Sequence, residues 1–246
     1  MKIIEYGKQN NDIIILLHGG GLSWWNFRTE AELLRDRFHV VLPILDGHAD
    51  SENDFTSIED NANRIITFIG SEYGGSVLLI GGLSLGAQVL VEILTQRKDI
   101  SRYAIIESAS VIPSRVTNAL IGPAFASSYG LIRKKWFAKT QFRFLRIRED
   151  LFEDYYTDTS KISKNNMIAF LKANTEYEVQ KGIQDTSASV RVIVGEKEHK
   201  RMLRSAELLH ELLPGSHIEI KTDLYHGEYS INRPDVYVKD LLDMIE

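Results

Sequence analysis

Six short runs dense in Ile, Val and Leu recur along the chain, at residues 12–18, 38–45, 76–82, 103–107, 190–195 and 217–221. Each is bounded by turn residues and lacks the strict alternation of a half-solvated strand, so each is predicted as a strand buried on both faces, as in a parallel sheet. Between the runs the apolar positions switch to helical spacing. Thr56 and Glu59 read as a capping box ahead of a helix reaching about Tyr73. Leu85, Val89, Ile93 and Leu94 share one face over residues 84–97. Met202, Ala206, Leu209 and Leu213 form a stripe that stops at Pro214-Gly215, and Val238, Leu241, Leu242 and Ile245 line the last helix. Strand then helix, repeated, predicts right-handed crossovers and an α/β fold: a doubly wound, mostly parallel sheet with helices on both sides.

The alternation breaks at residues 110–188, where the pattern is helical and polar and no strand-like run occurs. This segment reads as a helical insertion into a core made of residues 1–109 and 189–246. It holds 11 of the 23 aromatic residues of the chain. They either pack over something or fill a small core of the insertion's own.

Composition narrows the classes. With 246 residues, 43% hydrophobic and 26% charged, the chain has enough apolar material for one sizeable core, which excludes disordered and collagen-like classes. No apolar run approaches the roughly 18 residues of a membrane helix, and Glu5 interrupts the start before a signal-peptide core could form. No membrane span is expected, and a cytoplasmic location is. Lys and Arg number 29 against 34 Asp and Glu, a net charge of −5, which argues against nucleic acid as a partner. Zero Cys excludes disulfides, thiolate metal sites and a cysteine nucleophile.

The chemistry concentrates at the predicted strand ends. Gly82-Leu83-Ser84-Leu85-Gly86 joins the third run directly to the helix after it. A serine on so sharp a turn is strained and exposed, and the flanking glycines remove side chains that would collide, which is the nucleophile-elbow arrangement. Upstream, His18-Gly19-Gly20-Gly21 ends the first run, where three glycines leave backbone N–H groups open. The N–H groups of Gly20 and Leu85 are the candidate oxyanion-hole donors. Of seven histidines, His226 stands in the loop after the last strand, where its side chain can hang over Ser84; His18 and His48 read as loop-packing residues. The acid is expected between nucleophile and base in the chain. Glu198, three residues past the strand-ending Gly195, is the first choice, with Glu107 as rival and Glu196 and Asp223 behind.

Together these residues resemble the α/β-hydrolase superfamily, through His18-Gly19-Gly20-Gly21, Leu45-Asp46-Gly47-His48 with Ser51 beyond, the Ser84 elbow, Gly195 to Glu198, and His226, in the order Ser, acid, His. The resemblance implies an eight-stranded sheet whose first antiparallel strands are compressed into roughly residues 1–10, with 110–188 as the cap. Two positions depart from the family pattern: the acid is Glu where Asp is commoner, and Ala49 follows Gly47-His48 where a glycine is usual. It implies a serine hydrolase acting on a small-molecule carboxylic ester, with Ser84, Glu198 and His226 catalytic and no metal or organic cofactor. Trp24 and Trp25, just past the glycine loop, are expected in an apolar substrate pocket, suited to small or medium acyl groups. Two other readings stand beside this one: carbon–carbon bond hydrolysis or a lyase step with the same triad, and a non-catalytic ligand receptor on the same fold. The stretch from Arg133 to Arg148 carries seven cations, no acid and four interleaved aromatics, and reads either as a solvated helix face or as a site for an anionic tail or surface.

Overall fold

All six apolar runs form strands in the computed structural model, which describes residues 1–246 except the side chains of 126–128. A seventh strand precedes them. The strands are β1 (Ile3–Tyr6), β2 (Ile13–Leu17), β3 (His39–Pro43), β4 (Val77–Leu83), β5 (Ser101–Glu107), β6 (Ser189–Gly195) and β7 (His217–Lys221), in one sheet of order β1-β3-β2-β4-β5-β6-β7. β1 is antiparallel to β3, pairing Ile3 with Pro43 and Tyr6 with Val40, and every other pair is parallel. Seven strands replace the eight expected, because residues 1–10 supply one antiparallel strand rather than several.

The connecting helices are α1 (Arg28–Leu34), α2 (Ile58–Glu72) and α3 (Leu85–Gln96), then, after the insertion's α4 (Arg115–Ser128), α5 (Lys135–Phe144), α6 (Phe152–Thr159) and α7 (Lys164–Glu176), α8 (Lys200–Leu212), α9 (Glu228–Asn232) and α10 (Pro234–Ile245). The strand side chains divide by parity. Ile15, Leu17, Val41 and Ile80 bury against α2, α3 and α8, whereas Ile14, Leu16, Val40 and Leu79 bury against α1 and α10. Burial on both faces is why the runs of β2 to β6 are nearly continuous; β7, at the sheet edge, alternates His-Ile-Glu-Ile-Lys and buries none of these residues fully, against the expectation of a strand buried on both faces. Helix α2 starts one residue later than its capping box suggested: Ser57 is the N-cap, accepting the Asp60 N–H at 3.0 Å.

From β2 the chain winds to one side through β3, then crosses back so that β4 lies on the other side of β2. Such a reversal opens a crevice at the carboxyl ends of the two strands. Here those ends are the glycine loop and the Ser84 turn. The segment between β5 and β6 packs with both layers of the core: Phe170 and Tyr177 with the α3 layer, and Phe142, Ile147 and Tyr155 with the α1 layer. Asn232 fastens it near its middle, with Nδ2 donating to the Arg146 carbonyl (2.7 Å) and Oδ1 accepting the Arg148 N–H (3.0 Å). Among the described residues, no helix is long and apolar enough to cross a membrane.

Candidate active site

Ser84 occupies the junction of β4 and α3 with φ 54° and ψ −112°, a left-handed region that non-glycine residues adopt only under constraint. Its N–H donates to the Glu107 carbonyl at 2.9 Å, tying the turn to β5. The neighbouring glycines are dictated by close approach. A Cβ on Gly82 would run into the backbone of Gly86, and one on Gly86 into the carbonyl of Leu17.

His226 Nε2 lies 3.0 Å from Ser84 Oγ, and its Nδ1 lies 2.7 Å from Glu198 Oε2. The other carboxylate oxygen of Glu198 accepts the Ser108 hydroxyl (2.7 Å) and the Gly195 N–H (2.8 Å). Gly227, at φ 73°, makes the turn that follows His226. Burial pushes the Glu198 carboxyl up, but the hydrogen bond and charge of His226, joined by Ser108 and Gly195, outweigh it and hold the group below its ordinary value. On the imidazole the same pairing works the other way. Burial lowers the pKa of His226, and the hydrogen bond and charge of Glu198, with the charge of Glu107, raise it above 6.5.

The rival acids lie elsewhere. Glu107 is buried at the end of β5, where Oε1 accepts the Ser230 N–H at 3.2 Å and Oε2 has no hydrogen-bond partner among the described residues. Burial pushes its carboxyl up to about 7. Glu196 accepts the Asp223 N–H at the surface, and Asp223 pairs with Lys197.

The glycine loop is pinned on three sides. The Gly19 N–H donates to Asn26 Oδ1 (3.1 Å), the Gly21 N–H to His48 Nε2 (3.0 Å), and Thr159 of α6 donates to the Gly21 carbonyl (3.1 Å). Gly20 lies between the two paired N–H groups, with a Cβ position 3.5 Å from that of Leu85. The Leu85 N–H is the first of α3 and has no carbonyl four residues back within the helix. His18 and His48 both serve the loops. His18 Nε2 accepts the Leu45 N–H and Nδ1 faces the Gly19 carbonyl, while His48 Nδ1 faces the Asp46 carbonyl and its ring stacks on Phe170 at 4.6 Å. Burial drives their pKa values down to about 3 and about 4, so both are neutral.

Over Ser84 and His226 sits a cavity of about 60 Å³, lined also by Leu22, Leu145, Ile147 and Ile231. A second, of about 130 Å³, adjoins it across Leu22 and Leu145 and is lined by Phe125, Met167 and Phe170. The larger hollow of about 620 Å³ beside Arg64 and Phe68 is not lined by Ser84. Trp24 and Trp25, expected in the pocket, line neither cavity. They form a short 3-10 helix with Asn26 and Phe27 that turns Trp25 into the core, where its Nε1 donates to Asp158, while Trp24 packs under Arg28. Sequence reasoning missed Ser108 and Asn26, which follow no motif, and Leu145 and Ile147, which reach the site only through the turn held by Asn232. Among the described residues, no group of three or more His, Asp or Glu side chains is arranged to hold a metal ion.

A profile of the alpha/beta hydrolase family matches residues 14–228. Solved structures of similar fold include an esterase from Exiguobacterium antarcticum (16% identity, TM-score 0.82, 99% of this chain and 94% of that one). Others are a thermophilic esterase from Thermogutta terrifontis (17%, 0.79, 99% and 93%) and an enol-lactonase from Burkholderia xenovorans LB400 (14%, 0.80, 98% and 95%). No curated protein sequence is detectably similar.

Proposed function

This chain belongs to the alpha/beta hydrolase family, and from that premise we propose that it is a serine hydrolase cleaving small to medium carboxylic esters through an acyl-enzyme, with residues 110–188 as its cap. The observation that carries the reading is the continuous hydrogen-bonded line Ser84 Oγ, His226, Glu198, with separations of 3.0 and 2.7 Å, at a strained strand-to-helix turn. In this mechanism Ser84 Oγ attacks the ester carbonyl while His226 Nε2 takes the hydroxyl proton, and the oxyanion forms against the N–H groups of Gly20 and Leu85. Collapse breaks the C–O bond to the leaving alcohol, which receives the proton from His226. A water then attacks the acyl-Ser84 carbonyl with His226 again as base, releasing the carboxylic acid. Glu198 keeps the proton of the neutral ring on Nδ1 and stabilises the imidazolium that forms.

The cavities support a short acyl group. About 60 Å³ above Ser84 has room for only a few heavy atoms. A fluorophosphonate should label Ser84 alone, and Ser84→Ala should leave less than about a hundredth of wild-type ester hydrolysis. Labelling at another residue, or activity persisting in the variant, would refute the assignment. Labelled Ser84 without turnover of any ester would move the reading to carbon–carbon cleavage or a lyase step.

A further inference from the structure

We propose that the exposed face of α5, with the turn after it, is a docking surface for an anionic lipid membrane and sets the mouth of the Ser84 cavity against the lipid. At about 100° per residue, Lys135, Trp136, Lys139, Thr140, Arg143 and Phe144 fall on one side of α5, while Ala138 and Phe142 are buried on the other. That outer face carries two large aromatics in solvent, Trp136 at 65% exposure and Phe144 at 87%. Cations on the polar positions and aromatics between them form the pattern of a helix lying in a membrane interface.

Charge argues for the occupant. Residues 133–148 hold seven of the 29 basic side chains and none of the 34 acidic ones, so the other 230 residues carry 22 cations against 34 anions. An anionic membrane therefore repels most of the molecule and attracts this stretch, which fixes the orientation of approach. Neutralisation from within is incomplete: Lys135 pairs with Glu153 and Arg148 with Asp150, but among the described residues Lys134, Lys139 and Arg143 make no ion pair. The face also ends at the site. Leu145, which follows Phe144 and is 43% exposed, lines both cavities, and the Arg146 guanidinium sits 3.7 Å over the Tyr225 ring, next to His226. An amphiphilic ester held in the lipid would meet the cavity there; this last step rests on the proposed hydrolase reading, whereas docking itself does not.

The test is co-sedimentation of the full chain with vesicles of phosphatidylcholine alone and of phosphatidylcholine mixed with phosphatidylglycerol. Binding to the mixed vesicles that weakens as salt is raised, with little binding to the neutral ones, is expected. Trp136 fluorescence should shift to the blue on binding, and the shift should vanish in Trp136→Phe. Each cation near the surface contributes roughly five-fold in partitioning, so Lys139→Glu with Arg143→Glu should reduce it more than about ten-fold while hydrolysis of a soluble short-chain ester is unchanged. Should that pair fail to fold by circular dichroism, Lys139→Gln with Arg143→Gln serves the same purpose with a smaller drop. Ser84→Ala should bind vesicles like wild type, which separates failure of docking from failure of the catalytic reading. Equal binding to neutral vesicles, undiminished binding of the charge variants, or retention by an oligonucleotide with none by vesicles would overturn the proposal.

Discussion

Leu145 lines both cavities beside Leu22, and its removal has a defined consequence. Leu145→Ala would join the roughly 60 Å³ space above Ser84 to the roughly 130 Å³ space lined by Met167 and Phe170. Each methylene buried in an apolar pocket contributes about 0.8 kcal/mol, roughly a factor of four. In the wild type, kcat/KM for p-nitrophenyl esters should peak among the shortest chains, and in Leu145→Ala the peak should move toward octanoate. Comparing acetate, butyrate, octanoate and palmitate in both proteins checks this. The proposed base gives a second prediction at this scale. Glu198 raises the His226 pKa above 6.5, and the ring must be neutral to accept a proton, so activity should be lost as pH falls through that raised value. In Glu198→Gln the charge of Glu198 is gone and only that of Glu107 still opposes burial, so the acidic limb of kcat/KM should move to lower pH, with kcat reduced roughly 10²- to 10⁴-fold.

Elements were legible in the sequence to different degrees, and the differences have physical causes. The inner parallel strands and α3 were plain because burial on both sheet faces leaves nearly uninterrupted Ile and Val, and because the elbow glycines announce the turn. The cap of α2 was off by one because Thr56 and Ser57 are adjacent hydroxyls, and backbone geometry decides between them: Ser57 has the extended conformation. His226 and Glu198 were readable because each stands at the end of a recognisable strand. Leu145 and Ile147 were not, since a helical insertion writes only its own amphipathicity and not the place where its turns land. The same blindness misplaced Trp24 and Trp25, whose nearness to the glycine loop in sequence is undone by the 3-10 turn. One contact between elements is easily tested. Thr159 at the end of α6 donates to the Gly21 carbonyl, so Thr159→Val, nearly isosteric, removes a hydrogen bond of about 1 kcal/mol. Thermal unfolding should register that loss. If α6 also positions the Gly20 N–H, kcat should fall several-fold with KM nearly unchanged.

For the molecule as a whole, buried titratable groups pull stability in opposite directions with pH. His18 and His48 are held neutral, with pKa values of about 3 and about 4 against 6.5 for an ordinary imidazole. As pH falls below about 6.5 the unfolded chain takes up protons that the folded one refuses, and stability declines. Glu107 does the reverse. Its folded pKa of about 7 lies above the ordinary 4.5, so the folded state holds the extra proton and stability declines as pH rises through that window. Glu30, also buried and raised well above its ordinary value, adds to this. Glu107→Gln keeps the oxygen that accepts the Ser230 N–H and removes the need to ionise. Relative to wild type it should gain stability between about pH 4.5 and 7 and hold the gain above, up to the order of 3 kcal/mol. Denaturant unfolding of both proteins at pH 5 and pH 8 measures the difference.

The hydrogen bond between Ser84 and His226 joins residues 142 positions apart, and His226 arrives on the loop beyond β7, the outermost strand of the sheet. Loop-closure entropy makes such a distant pairing slow to form. During synthesis, the glycine loop, the serine turn and strands β2 to β5 precede His226 by more than a hundred residues. On the proposed mechanism, a nascent chain thus carries its nucleophile well before the group that activates it has left the ribosome. In that reading, reactivity is withheld by the order of translation, and it is switched on by the docking of one edge strand.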